Sequence, residues 1–365
     1  MPNDLLLKFH TIQNTLFPIL EETLELSGKH REFVRTVGLM PTAGLFGRYG
    51  WCGNGCRPAD REFLFRAFIA KAVFNIAQTS GLILRLKADK ALRALCGYDS
   101  ASEIPSESTF SRAFGDFARD GIAQKVHAAL IEDAVGDKLF GHASIDATAI
   151  EGREKPAQKP KQAPAPRVKG KRGRRKKGEA SPPPDPKRIA LQPHRSLEEN
   201  LLDLPARCDI GTKRNSKGHA AHWIGYKLHL SVLDGDIPAA AVLTSASLHD
   251  SQAAIPLMQM AGGRVTSLYD LMDAAYDAGG IHAFSRSMGH VPVIDANPRR
   301  GEKTPFAPAQ KARYAQRSSA ERANSALKDS YGARFVRVRG AAKVMAHLMF
   351  GVIALTAAQI VRLMC

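Results

Sequence analysis

Between Lys155 and Arg188 the chain carries 13 Lys or Arg against two acids, is studded with proline and has almost no large apolar side chain. A tract of that make-up cannot bury enough apolar surface to offset the entropy of ordering it, so disorder is expected there. Any fold must accommodate it as an insertion, and it holds +11 of the chain's +17 net charge. Its densest part runs from Lys169 to Lys177 and includes Lys171, Arg172, Arg174 and Arg175. Such a density of cations should hold DNA along its phosphates or in the minor groove.

The whole chain is basic as well, with a pI near 9.8 over 365 residues. That excess points to a polyanionic partner, nucleic acid before acidic substrates or an anionic membrane. Five scattered cysteines argue against a disulfide framework and for a reducing, cytoplasmic setting beside the nucleoid. Cys52 and Cys56 lack a second pair at zinc-finger spacing, so a Gly-rich turn is expected around them. The opening residues are too briefly apolar for a signal peptide. Val344 to Met364 is apolar but contains His347, Gln359 and Arg362, which reads as a buried helix and not a membrane span.

Residues 1–140 read as helices joined by polar breaks. Arg61 to Ile83 and Leu86 to Leu95 repeat apolar residues at helical intervals, and Gly97 ends the second run. Ser106 is placed to cap a helix through Arg119, which suits either a plain helical bundle or a helix-turn-helix. Gly141 to Ile150 is β-type with Asp146 at its centre, a carboxylate costly to bury unless something positive faces it. After the basic insertion (156–200) come a polar loop from Asp209, strands at Trp223–Val232 and Ile237–Thr244 joined at Asp234-Gly-Asp, and a strand–helix–strand unit over 268–296. His249-Asp250 reads as a helix-capping pair. Asp273 ends a strand of that unit, where ligands normally bind, although Asp270 and Asp277 lie close by.

Tyr314, Arg317, Glu321 and Lys328 follow at offsets of three, seven and fourteen. On one continuous helix they would share an arc of roughly 60°. This Tyr-x2-Arg-x3-Glu-x6-Lys pattern resembles the signature of bacterial insertion-sequence transposases of the DDE class, the insertion-sequence-four/five superfamily. The resemblance implies an α/β, ribonuclease-H-like catalytic domain (141–155 and 201–365) behind an all-helical N-terminal domain (1–140) that recognises the element's terminal repeats. It implies Asp146, Asp273 and Glu321 as catalytic and metal-holding acids for two Mg²⁺ ions, with Mn²⁺ as a substitute. Tyr314, Arg317 and Lys328 would hold phosphates. The implied reaction is cleavage at the terminal inverted repeats and joining of the 3′ ends to target DNA, by a homo-oligomer and with no membrane involved. Only 48 positions separate Asp273 from Glu321, and no Trp follows Trp223. Both facts speak against the β insertion and stacking aromatic of relatives that form DNA hairpins. A DNA-binding protein that has lost cleavage, or a ribonuclease-H-like nuclease without strand joining, would carry the same scaffold.

Overall fold

The structure, a computed structural model, describes residues 2–157, 187–214, 219–297 and 305–364. The section Lys169 to Lys177, with Lys171, Arg172, Arg174 and Arg175, lies outside the described residues.

A six-stranded mixed sheet is the frame among those residues. β1 (Leu139–Glu151) lies at its centre, antiparallel to β3 (Ala220–Leu233) and parallel to β5 (Thr266–Met272). β6 (Val291–Ile294) adds in parallel outside β5, so β1, β5 and β6 all run the same way. The far edge of β3 is shared. β2 (Asp209–Arg214) pairs with its first half and β4 (Ile237–Ser245) with its second, both antiparallel. The stretch from Asp209 is therefore half of a hairpin and not the expected polar loop: Thr212 and Lys213 pair across to His222 and Ala221. The polarity that suggested a loop is that of a ribbon extending past the end of β1, where a strand has no core to face. β3 changes partner at Gly225, whose φ is +152°. A Cβ there would stand 2.1 Å from the Ile150 carbonyl oxygen. Glycine is thus required where β3 crosses close to the end of β1.

The turn between β3 and β4 is the Asp234-Gly-Asp read from sequence, with Gly235 and Asp236 both left-handed. Its acids are clamps. Asp234 accepts from the His142 backbone N–H (2.9 Å), and Asp236 accepts two bonds from Arg322 (2.6 and 2.8 Å).

Apart from a small cluster of Ile12, Phe17 and Val34, the helices of the first 140 residues share their core with the sheet. A single apolar cluster runs from Phe33 to Val361 and includes both these helices and the sheet. Its seam is aromatic: Phe65 and Phe68, on Arg61–Val73, lie 5.0 and 5.4 Å from Phe350 on the C-terminal helix Ala341–Met364. That C-terminal helix is long and apolar enough to cross a membrane, but 83% of its apolar window is buried within the protein. It packs on the N-terminal helices and on β4.

The apolar run Arg61 to Ile83 is two helices, Arg61–Val73 and Thr79–Ala88, with left-handed Asn75 between them. Asn75 Nδ2 donates to the Asp329 carbonyl (3.0 Å), so a tertiary bond takes the place of a helical turn. Gly97 and left-handed Gly121 end the helices Lys90–Cys96 and Glu107–Asp120. Ser106 stands at the N-cap of the latter without a capping side-chain bond to the backbone. Cys52 and Cys56 are exposed and free, in a turn.

Candidate active site

The parallel ladder of β1 and β5 sets the first relationship in the site. Ser144 pairs with Leu271. Two residues further along each strand, Asp146 and Asp273 reach matching levels and, by the two-residue repeat, the same face. Adjacent strands lie about 4.8 Å apart, so the two carboxylates are neighbours. Asp273 stands just beyond β5, where its side chain accepts from the Ala275 N–H (2.9 Å) and caps a short 3₁₀ turn. β6 continues the row: Asp295 N–H donates to the Met272 carbonyl (3.2 Å), which sets a third acid beside Asp273.

Asp270, close enough in sequence to be confused with Asp273, is buried elsewhere. It accepts from Ser285 Oγ (2.6 Å) and pairs with His290 (3.1 Å). Asp277 pairs with His282 (3.1 Å) and accepts from the Asn297 N–H. Asp250 pairs with Lys227 (2.7 Å), and His249 precedes the short 3₁₀ turn Asp250–Ala253 without capping it through its side chain.

Burial drives the Asp146 carboxyl up to about 6, helped by repulsion from Asp273 and opposed by the Ala147 N–H, Arg317 and Lys213. Two further polar atoms near this acid are left without partners among the described residues. They are the Tyr276 hydroxyl and Asn324 Oδ1, both buried. Asn324 Nδ2 meanwhile donates to Asp146 Oδ2 (3.0 Å).

Asn324 lies on the helix Ser318–Ser330, which packs across β1 and β3. Ser319 Oγ donates to Ser144 Oγ (3.2 Å), and Ser144 Oγ to the Gln316 carbonyl (3.5 Å). Glu321 is one turn before Asn324. The four signature residues do not lie along one helix, as the spacing had suggested. Pro308–Tyr314 is a separate helix, a 3₁₀ turn spans Ala315–Arg317, and only Glu321 and Lys328 share the longer helix. The bonds from Ser144 hold this break against the sheet.

Glu321 is not gathered with the aspartates. Its carboxylate is paired with Arg317 at 2.5 Å and is 55% exposed. Among the described residues no three His, Cys, Asp or Glu side chains are gathered closely enough to ligate one ion. Arg317 also lies over the Tyr314 ring (5.7 Å), and Tyr314 packs on Phe306 (4.9 Å). The Tyr314 hydroxyl is pushed up by burial, lowered somewhat by Arg317 and raised by Asp295 and Asp273. Lys328 is at the other end of the helix, drawn down by burial and by Arg334 and Lys213. Lys213 and Asn324 were not singled out from the sequence. One is on the ribbon mistaken for a loop, and the other is an uncharged residue inside a charged motif.

The donor set fits a divalent cation in part. Two adjacent carboxylates, that of Asp146 half-buried with its charged form disfavoured, and an unpartnered amide oxygen beside them would all gain from a cation.

Residues 139–357 match the family model described as the transposase DDE domain. Residues 29–116 match a second, described as a transposase domain (DUF772). Neither the curated proteins nor the solved structures contain a match. With its DDE-domain match spanning β1 to the C-terminal helix, the chain belongs to the DDE transposase family, whose members act on DNA and generally use divalent metal ions.

Proposed function

We propose that the protein cleaves DNA at the ends of an insertion sequence and joins the 3′ ends to target DNA, in a Mg²⁺-dependent reaction. The observation that carries this reading is the level match of Asp146 and Asp273 on parallel β1 and β5. The Asn324–Asp146 bond adds the helix that bears Glu321. The strand order and directions around β1 support a ribonuclease-H-like sheet. The Tyr-Arg-Glu-Lys spacing supports placement in the insertion-sequence-four/five superfamily.

Asp146, Asp273 and Glu321 would hold the metal, as two Mg²⁺ ions with Mn²⁺ as a substitute. When bound, the ions would activate the attacking water or 3′-hydroxyl and stabilise the departing 3′ oxygen. The chain's own groups do the rest. Arg317 and Tyr314 face the aspartate row and are placed to hold the phosphate being cut. Lys328, with Lys213 and Arg334 near it, would hold the next stretch of backbone. A phosphate that drew Arg317 away would release Glu321 toward Asp146, so substrate binding would complete the acid set.

The basic insertion, with Lys171, Arg172, Arg174 and Arg175, would bind DNA alongside. The N-terminal region (1–140) would recognise the terminal repeats, and a homo-oligomer would pair the two ends. The setting would be the cytoplasm, at the nucleoid.

Purified protein with linear element ends and Mg²⁺ provides the test. Cleavage should require the metal, and precut ends should join a plasmid target. Glu321→Gln should abolish cutting while end binding stays within about twofold. Undiminished cutting by that variant would refute the acid assignment, and binding without any cutting by the wild-type chain would favour a DNA-binding protein that has lost its chemistry.

A further inference from the structure

Lys71 is a buried charge that neither the core nor the acid site accounts for. It lies on the helix Arg61–Val73 and is 8% exposed. Burial draws its ammonium group down to about 8, and among the described residues no carboxylate pairs with it. Lysines are seldom buried without a partner, because an unpaired ammonium out of water is costly. Its environment is not uniformly apolar. On one side Lys71 borders a cavity lined by Phe68, Phe110, Phe114 and Phe350. On the other it borders a polar cleft.

The cleft's remaining walls suit an anion. Gln78, Thr79 and Ser80 form the start of the ten-residue helix Thr79–Ala88, whose N-cap supplies no side-chain hydrogen bond. The first N–H groups of a helix attract negative charge when no cap satisfies them. Arg153 and Arg337 stand at the rim, both exposed and neither in an ion pair among the described residues. Glu107, exposed, is the acid on the wall. His347 adds no charge, since burial, and next the Lys71 ammonium, draw it down to about 4. Three cations and a helix start therefore converge on a cleft with one acid.

The segment between the helix of Lys71 and the helix Thr79–Ala88 is tied to the far end of the helix Ser318–Ser330. The turn beyond Lys71 is tied by Asn75 to the carbonyl of Asp329, the residue after Lys328 (3.0 Å). Arg339 Nε donates to the Arg153 carbonyl (3.2 Å), which ties the same cleft to the segment leaving β1.

We propose that this cleft holds a phosphate group, with Lys71, Arg153, Arg337 and the start of the helix Thr79–Ala88 as its donors, and that DNA passing the end of the helix Ser318–Ser330 supplies it. A free phosphate ion has the same chemistry and is the alternative source. The inference needs DNA binding but none of the acids, so it can fail while the cleavage reading stands, and the reverse.

The test uses the full-length protein in EDTA, with a DNA duplex whose affinity is measured over a range of salt concentrations. Removing one phosphate contact should make the slope of log affinity against log salt shallower by about 0.9. Lys71→Met should show that change and a raised Tm, because the variant also removes an uncompensated buried charge. Arg337→Gln, at the exposed rim, should flatten the slope similarly without risk to the core. In a second arm, inorganic phosphate alone is added and Tm is followed. If Lys71→Met keeps the wild-type slope but loses the stabilisation by phosphate, the phosphate site stands and DNA as its source is overturned. If both variants keep the wild-type slope and Lys71→Met keeps the wild-type phosphate response, there is no such site and Lys71 is only a packed stem.

Discussion

Asn324 Nδ2 lies 3.0 Å from Asp146 Oδ2, which joins the helix Ser318–Ser330 to the central strand through a buried amide. A bond of this kind to an ionised acceptor contributes about 2 kcal/mol. The amide oxygen, Oδ1, has no partner among the described residues, so the amide is not there for stability alone. Asn324→Ala should lower the metal-dependent cleavage rate by roughly thirtyfold if the bond aims the carboxylate. End binding should be unchanged, because no phosphate donor is lost. Side-by-side cleavage and gel-shift measurements decide it, and a normal cutting rate would reduce Asn324 to a packing residue.

Asp146 itself should make the metal-free protein less stable. Its carboxyl is raised to about 6 in the fold from an ordinary value of 3.8, chiefly by burial. An acid raised in this way helps the fold while protonated, and that help is gone once the pH passes about 6. At pH 7.5 the ionised group therefore costs on the order of 2–3 kcal/mol. Asp146→Asn should raise Tm in EDTA, abolish cleavage and lose the stabilisation that Mg²⁺ gives the wild-type chain. A variant with lower Tm in EDTA would mean that the carboxylate is compensated by groups other than a metal.

Strand positions were legible where a short apolar run is bounded by turn residues. Gly141 to Ile150, the two strands around Asp234-Gly-Asp and the strand before Asp273 all lie within residues of their observed bounds. What failed was set by tertiary bonds that no local pattern carries. Nothing between Tyr314 and Ser318 breaks a helix by composition, yet a 3₁₀ turn forms there against Ser144. The Asp209 ribbon is strand because β3 offers it an edge, although its own residues are polar. Within the site, the two aspartates were readable as acids at strand centres and ends. The Arg317–Glu321 pair was not, because spacing places side chains on one face without saying which partner each takes.

Acid should loosen the seam between helices and sheet. His127 is buried, bonded to the Pro238 carbonyl (2.9 Å) and close to Thr356 on the C-terminal helix (3.3 Å). Burial, with Arg264 next, draws it down to about 3 from 6.5. The neutral ring therefore favours the fold above pH 6.5, and that contribution is lost as pH falls from 6.5 toward 3. His229 and His347 are each drawn down to about 4 and act in the same direction. Denaturant unfolding at pH 7, 6 and 5 should show stability falling by up to about 1.4 kcal/mol per pH unit for each histidine. His127→Gln, which can still donate to Pro238, should remove one such increment from the acid limb. An acid limb of unchanged steepness would mean that His127 takes up its proton equally in the folded and unfolded chain.

The basic tract offers the largest electrostatic effect in the molecule. Seven of the nine residues from Lys169 to Lys177 are Lys or Arg, Lys171, Arg172, Arg174 and Arg175 among them. If all seven neutralise phosphates, deleting the section should flatten the salt dependence of DNA binding by up to about 6 in the log–log slope. Sequence preference for the element ends should persist, since phosphate contacts position a protein without reading bases. Competition binding with end-sequence and random duplexes separates the two effects. A deletion that leaves the slope unchanged would show that these cations stay in solvent, and one that abolishes end preference would show that the tract reads the ends as well as holding them.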